Sequence, residues 1–177
     1  MAGCMAPDFE YFIRVDVRGV WGHDLKGIVL FDLPMAVVMV VLFHLVVKNN
    51  LIDNLPPALQ RRFARVKTLT LREDMFSRPL AFVLCACLGA LTHVIWDGFT
   101  HKAGFFVEEL PSMYDGTVVP FDGVKYPLWY ALQQASTIFG LAVLVLYVSL
   151  MKPLHVPVTR PRITYWLVLV EIGRAHV

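Results

Sequence analysis

Long apolar runs separated by shorter polar stretches form the main pattern of this chain. Three runs, at residues 28–47, 80–97 and 129–150, are long enough to cross a bilayer core, which needs roughly 20 residues of α-helix. A fourth run begins at 163–170 and is shorter. The pattern predicts an all-α, multi-pass membrane helix bundle with three complete spans and a truncated fourth.

Composition and charge narrow the class of protein. Of 177 residues, 57% are hydrophobic and 17% charged, and the mean hydropathy is +0.60, well above that of ordinary soluble domains. The net charge of +2, without basic residues interleaved with aromatic ones, excludes nucleic acid as a partner. The predicted partner is the lipid bilayer.

The pattern also predicts the extent of the membrane domain and the nature of the two chain ends. Residues 1–170 are predicted to form a single integral-membrane domain. The last seven residues, EIGRAHV, read like a translated sequencing adapter, so 171–177 are expected to be a non-native tail. The start lacks the basic and apolar regions of a signal peptide, so the first span should act as its own insertion signal.

Loop charges predict the orientation of the spans. Residues 48–79 hold seven lysines and arginines against three acids, whereas 98–128 hold two lysines against four acids. By the positive-inside rule, 48–79 is cytoplasmic, and both 98–128 and the segment before residue 28 lie outside. Polar residues that are far apart in sequence should therefore converge on the outer membrane face.

The two long connecting segments have different patterns. In 48–79, LPPALQRRFARV predicts a turn and then an amphipathic basic helix on the inner leaflet, a solvated connector being the alternative. In 98–128, ELPSMYDGTVVPFDGVKYP is rich in turn-forming residues and predicts an irregular loop, a candidate lid.

The stretch HVIWDGFTH at 93–101 closes the second run with three ionisable residues. On a helix His93, Asp97 and His101 share one face. Ionisable groups at membrane depth are kept mainly where they face a bundle interior and have partners, and imidazole and carboxylate are ligands of zinc and similar divalent ions. The pattern predicts either a metal site or a hydrogen-bonded cluster that caps the helix.

A straight helix separates the two histidines by roughly 12 Å along its axis, too far for one ion. Gly98 offers one solution, because a glycine there can end the helix in a left-handed turn that brings His101 back. The alternative is two ions with Asp97 between them. Either arrangement needs further ligands, and topology offers Asp8 and His23.

Four motifs, in order, resemble a known family. They are MAPDFEYF at 5–12, GHDLKGIVLFDLP at 22–34, LGALTHVIWDGFTH at 88–101 and LQQASTIFGL at 132–141. Together they resemble the domain of unknown function 4184 family of bacterial integral-membrane proteins, which is distantly similar to inner-membrane metal-dependent hydrolases. The resemblance implies the bacterial cytoplasmic membrane as location. It implies five metal ligands: Asp8, His23, His93, Asp97 and His101.

The resemblance also implies an activity. A divalent metal cofactor such as zinc lowers the pKa of bound water and polarises a phosphoryl or carbonyl oxygen. Glu10 and Asp24, carboxylates outside the implied ligand set, are then candidate general bases. A site that faces the membrane suits a lipid-like or lipid-linked phosphate or ester, so we expect a metal-dependent hydrolase.

Family members usually carry an apolar segment with its own histidine before the Pro-Asp motif, whereas this chain starts at MAGCMAPD. We therefore expect that an N-terminal segment, with one ligand, is missing.

Two non-enzymatic interpretations stay open. The histidine–aspartate cluster could be structural or relay protons or ions across the bundle, although below His93 the second run offers only Thr92, Gly89 and cysteines. The protein could also be an assembly partner without chemistry. Asp32, two residues before Pro34, could orient a ligand histidine or make a local hydrogen bond at a helix kink.

Overall fold

The computed structural model describes residues 1–14, 21–114, 118–121 and 123–174. This part of the chain is mostly helical and has only two short strands, which confirms the all-α prediction. Its helices are Ala2–Met5, Phe9–Arg14, Leu25–Asn54, Pro57–Thr68, Arg72–Phe76, Pro79–Thr100, Phe105–Glu109, Pro111–Tyr114, Leu128–Leu150 and Ile163–Arg174.

Three helices of the described chain are long and apolar enough to cross a membrane. We call Leu25–Asn54 the first span, Pro79–Thr100 the second and Leu128–Leu150 the third. They contain the three predicted runs, and the third span has no buried residue, as expected of a helix that faces lipid. Helix Ile163–Arg174 has 12 residues and measures about 18 Å, less than a bilayer core.

The first span contains a π-helical turn, Ile28–Asp32, close before Pro34. Proline has no N–H, and its ring clashes with the carbonyl four residues back in an α-helix. A local π-turn is one way for a helix to absorb such a disruption. Asp32, the last residue of this turn, is only 1% exposed.

The chain divides into two compact units, residues 1–39 with 79–149 and residues 40–78 with 150–177. In the first unit, helix Ala2–Met5 packs against the second span. The buried residues Ala6, Ala36 and Ala86 form its core. Small residues let helix backbones approach closely, which drives helix association in membranes.

The second unit contains the predicted amphipathic helix, Pro57–Thr68. Gln60 on this helix is 5% exposed, and its amide donates to the carbonyl of Thr159 at 2.9 Å and accepts from the N–H of Thr159 at 2.9 Å. Asn54 accepts from the N–H of Arg162 at 2.8 Å, and its carbonyl accepts from the indole N–H of Trp166 at 2.9 Å. These bonds tie residues 54–60 to residues 159–166.

The prediction of an irregular loop over 98–128 is wrong for the residues that the structure describes. Two short helices, Phe105–Glu109 and Pro111–Tyr114, follow the second span. Strands Val118–Phe121 and Val124–Pro127 form an antiparallel hairpin, and Gly123 in its turn takes a φ of 75°, as tight hairpins require. Residues 115–117 and 122 lie outside the described residues.

The last helix includes residues 171–174 of the predicted non-native tail, and residues 175–177 lie outside the described residues.

Candidate metal centre

Four of the predicted ligands meet in the first unit. Asp8, His23, His93 and Asp97 each offer one ligand atom, and these atoms all lie within 4.8 Å of one another. His93 and Asp97 lie one turn apart on the second span, whereas Asp8 follows helix Ala2–Met5 and His23 precedes the first span. We call these four residues the acid–histidine cluster.

The distances within the acid–histidine cluster suit a tetrahedral metal ion. The Nε2 atom of His93 lies 3.3 Å from Oδ1 of Asp8 and 3.1 Å from Oδ2 of Asp97. The Nε2 atom of His23 lies 3.9 and 3.8 Å from the same two oxygens. Metal bonds of about 2.0–2.2 Å place neighbouring ligands of a tetrahedron roughly 3.3–3.6 Å apart. These four distances differ from that range by 0.3 Å or less, and all four donor atoms lie within 4.8 Å of one another.

The buried Nε2 atom of His93 faces one carboxylate oxygen of each aspartate, that of Asp8 at 3.3 Å and that of Asp97 at 3.1 Å. A proton can join this nitrogen to the two oxygens as an ion pair, and a divalent cation can take the same place. Imidazole and carboxylate are both zinc ligands, so the residues present fit a divalent metal.

The surroundings shift the pKa values of two cluster residues outside the spans. Burial lowers the pKa of His23 below its ordinary value, against the opposing effects of Asp97 and Asp8. Its imidazole is therefore neutral at neutral pH. Contact with His93 lowers the pKa of Asp8, outweighing the effect of burial, so that carboxyl is ionised.

Glu10, predicted as a general base, lies beneath the cluster and is fully buried. Its carboxylate accepts hydrogen bonds from the backbone N–H groups of Trp21 and Gly22 at 2.9 Å and from the guanidinium of Arg14 at 2.9 Å. One carboxylate oxygen lies 3.9 Å from Nδ1 of His23. Glu10 thus anchors the segment that carries His23.

Gly22 allows that segment to pass through a narrow space. A Cβ atom at this position would lie 2.8 Å from Oδ1 of Asp32 and 3.0 Å from Cα of Pro7. Asp32 itself is buried, and neither of its carboxylate oxygens has a hydrogen-bond partner among the described residues. The hydrogen bond expected of Asp32 at the helix kink is therefore not seen within the described chain.

Asp24, the other predicted base, is exposed and lies at the start of the first span. Its Oδ1 accepts a hydrogen bond from the N–H of Gly27 at 2.5 Å, the pattern of a helix N-cap. The structure places Asp24 outside the acid–histidine cluster.

His101 also lies outside the group of four. Its Nδ1 is 3.5 Å from Oδ1 of Asp97, and its side chain is 51% exposed. Its Nε2 is 3.2 Å from the amide nitrogen of Gln133 on the third span. In this structure His101 makes an interhelical contact.

The left-handed turn that Gly98 offered as one of two solutions is not formed. The second span continues as α-helix to Thr100, so His101 is not brought back over the helix end. The chain turns back further on, where Gly104 comes so near that a Cβ atom would lie 2.5 Å from the carbonyl oxygen of Gly98.

Sequence reasoning missed Tyr11. Its hydroxyl lies 3.1 Å from Nε2 of His23, at the edge of the cluster. Burial, with the charges of Asp8, Asp97 and Glu10, raises the pKa of Tyr11, so the phenol stays protonated and can donate a hydrogen bond. The sequence could have indicated Tyr11, because it lies three residues after Asp8 and residues at this spacing share one helix face.

Comparisons with known proteins add a family match. The profile of the family described as Domain of unknown function (DUF4184) matches residues 1–174, a stretch that contains the whole acid–histidine cluster. No curated protein and no solved structure is significantly similar to the chain.

Proposed function

The chain belongs to the family described as Domain of unknown function (DUF4184), and from this premise we propose that it is a membrane-bound, metal-dependent hydrolase. The metal is zinc or a similar divalent ion, held by Asp8, His23, His93 and Asp97. The three apolar spans support the membrane location. The hydrolase activity is our inference from the donor set.

The observation that carries the proposal is the convergence of two imidazole nitrogens and two carboxylate oxygens on one point. This donor set balances the charge of a divalent ion, and zinc takes both ligand types.

The surrounding side chains suit a hydrolytic role. When bound, a divalent ion lowers the pKa of water towards neutrality and polarises a phosphoryl or carbonyl oxygen. The side chain of Asp8 is 51% exposed, so one edge of the cluster is open to a substrate. Tyr11 lies at that edge with its hydroxyl 3.1 Å from Nε2 of His23, and it would donate to a substrate oxygen once this nitrogen binds the metal.

We assign Glu10 and Asp24 to positioning rather than to proton transfer. Glu10 is fully buried and holds backbone N–H groups, and Asp24 caps a helix. A second carboxylate that fixes a ligand histidine is a common support for metal sites.

The proposed substrate class follows from the position of the acid–histidine cluster near the end of a span. His93 and Asp97 lie near the end of the second span, within reach of the headgroup region of a bilayer. A lipid-like phosphate or ester that diffuses within the leaflet would reach the exposed edge at Asp8. We infer from the loop charges that this edge lies at the outer face of the membrane, which in this proposal is a bacterial cytoplasmic membrane.

Metal content of the purified protein tests the proposal. In mild detergent without chelators, we expect about one equivalent of a divalent ion, as a single four-ligand site requires. His93→Ala and Asp97→Asn should lose it, because each removes a ligand. Asp53→Asn, which makes the same substitution in the other unit, should retain it. Elemental mass spectrometry gives the stoichiometry.

His101→Ala distinguishes the four-ligand set seen in the structure from the five-ligand set that the family resemblance implied. The variant should keep its metal, because His101 lies outside the group of four. With the metal established, hydrolysis is assayed as phosphate release from phosphatidic acid and fatty-acid release from monoacylglycerol. A wild-type protein without metal would contradict the proposal and leave the cluster as a structural or relay element.

A further inference from the structure

The second unit contains a cavity of about 200 Å³ between the amphipathic helix and the segment after the third span. We propose that this cavity binds the phosphate group of an anionic phospholipid. The site is separate from the acid–histidine cluster and does not depend on its function. The lining residues are Ala58, Arg61, Arg62, Pro153, Leu154 and His155.

Hydrogen bonds hold the two walls of the cavity together. The N–H of Leu154 donates to the carbonyl of Arg61 at 2.9 Å. The guanidinium of Arg62 donates to the carbonyl of Met151 at 2.5 Å. Gln60, the residue before Arg61, is also buried. Its side-chain amide donates to the carbonyl of Thr159 and accepts from the N–H of Thr159. The walls are therefore fixed before a ligand arrives, which reduces the entropy lost on binding.

The lining has the charge that a phosphate diester needs. Two arginines and a histidine line the cavity, and its six lining residues include no acid. Guanidinium groups match phosphate oxygens in geometry and charge. The neighbouring acid along the chain, Asp53, is paired with Lys67 at 2.6 Å, so its charge is already compensated.

The position of the cavity along the chain favours a lipid over a soluble phosphate. Ala58 follows closely after the end of the first span, and Pro153 after the end of the third. Residues at span ends lie at the level of the headgroups, where basic side chains meet anionic lipids. The remaining lining residues, Ala58, Pro153 and Leu154, are apolar and suit the glycerol and upper acyl region of a phospholipid.

Lipid titration followed by native mass spectrometry tests this site. The full chain in mild detergent should bind phosphatidylglycerol more tightly than phosphatidylcholine. Arg61→Gln should weaken phosphatidylglycerol binding roughly tenfold, as expected for loss of a charge-assisted contact to phosphate. Arg65→Gln is the matched control, since Arg65 lies one turn further on the same helix, carries the same charge and does not line the cavity. It should change binding less than about twofold.

Three results would overturn the proposal. Equal loss in Arg61→Gln and Arg65→Gln would show diffuse attraction to a basic helix. Equal affinity for the two lipids would show that the cavity does not recognise the net charge of the headgroup. Displacement of phosphatidylglycerol by inorganic phosphate at equal concentration would identify a soluble anion as the ligand.

His155→Gln provides a second variant if Arg61→Gln does not fold, and it too should weaken phosphatidylglycerol binding. Unchanged binding in a folded His155→Gln variant would then contradict the proposal. Metal content is measured in the same samples and should stay at the wild-type value, so failure of this site is distinguishable from failure of the metal centre.

Discussion

Glu10 combines full burial with a negative charge, which is tolerated only when the charge is paired and hydrogen-bonded. Two backbone N–H groups and the Arg14 guanidinium satisfy its oxygens. Because those N–H groups belong to Trp21 and Gly22, the carboxylate also determines where the adjacent His23 lies. Glu10, a residue outside the acid–histidine cluster, thus both stabilises the fold and positions the proposed metal ligand His23.

Glu10→Gln should lower both stability and metal affinity. The amide keeps one acceptor oxygen and sets an NH₂ group against buried donors, which should reduce the free energy of unfolding by about 2–4 kcal/mol. Displacement of His23 should weaken metal binding roughly 10- to 100-fold. Thermal unfolding in detergent and metal titration measure the two effects.

Glu73→Gln is the matched control, because Glu73 is exposed and its carboxylate accepts hydrogen bonds from the backbone N–H and the hydroxyl of Thr70. It should leave both quantities nearly unchanged. If Glu10→Gln kept stability and metal but abolished hydrolysis, Glu10 would be a general base and the positioning role would be wrong.

Helix Ala2–Met5 is short, yet it positions Asp8 because it packs closely on the second span. A Cβ atom at Gly3 would overlap the carbonyl oxygen of Ala86, and one at Gly89 would lie 2.9 Å from the backbone nitrogen of Cys4. Glycines on both sides allow this approach, as at other close helix contacts in membranes. The contact sets the distance from Asp8 to His93 and Asp97.

Gly3→Ala should push helix Ala2–Met5 away from the second span. Overpacking of this kind lowers stability by about 1–3 kcal/mol, and metal affinity should fall because Asp8 moves with the helix. Gly140→Ala on the third span is the control, since no atom of the described residues lies within 4 Å of its added Cβ. Thermal unfolding and metal titration are measured for both variants. Equal stability and equal metal affinity in the two would contradict the role of the Gly3 contact in positioning Asp8.

The arrangement of charge along the chain predicts how the protein lies in the membrane. Basic residues concentrate in 48–79 and 152–162, whereas acidic residues prevail in 98–128. Because positively charged loops stay in the cytoplasm, the acid–histidine cluster should face outward and the basic cavity inward.

Single cysteines at Asp53 and Lys102 test this orientation. In a background where Cys4, Cys85 and Cys87 are replaced by alanine, a membrane-impermeant maleimide should label the Lys102 position in right-side-out vesicles. It should label the Asp53 position only in inverted vesicles. The reverse pattern would place the metal centre on the cytoplasmic face.

The spans, the amphipathic helix and most of the cluster could be predicted from the residues alone. Hydropathy and helix periodicity are local properties, so the runs at 28–47, 80–97 and 129–150 required no knowledge of contacts. His93 and Asp97 share a helix face by spacing. Asp8 and His23 followed from loop charge and family resemblance.

Packing between distant segments decided which side chains meet. It left His101 outside the group of four although its Nδ1 lies 3.5 Å from Oδ1 of Asp97. The second span runs past Gly98 to Thr100, and the chain turns back only near Gly104. Packing also brought Tyr11 against His23 and buried Glu10 beneath that histidine. Such contacts depend on how closely two backbones approach, a property that glycines at positions 3, 22 and 89 permit and that no local pattern encodes.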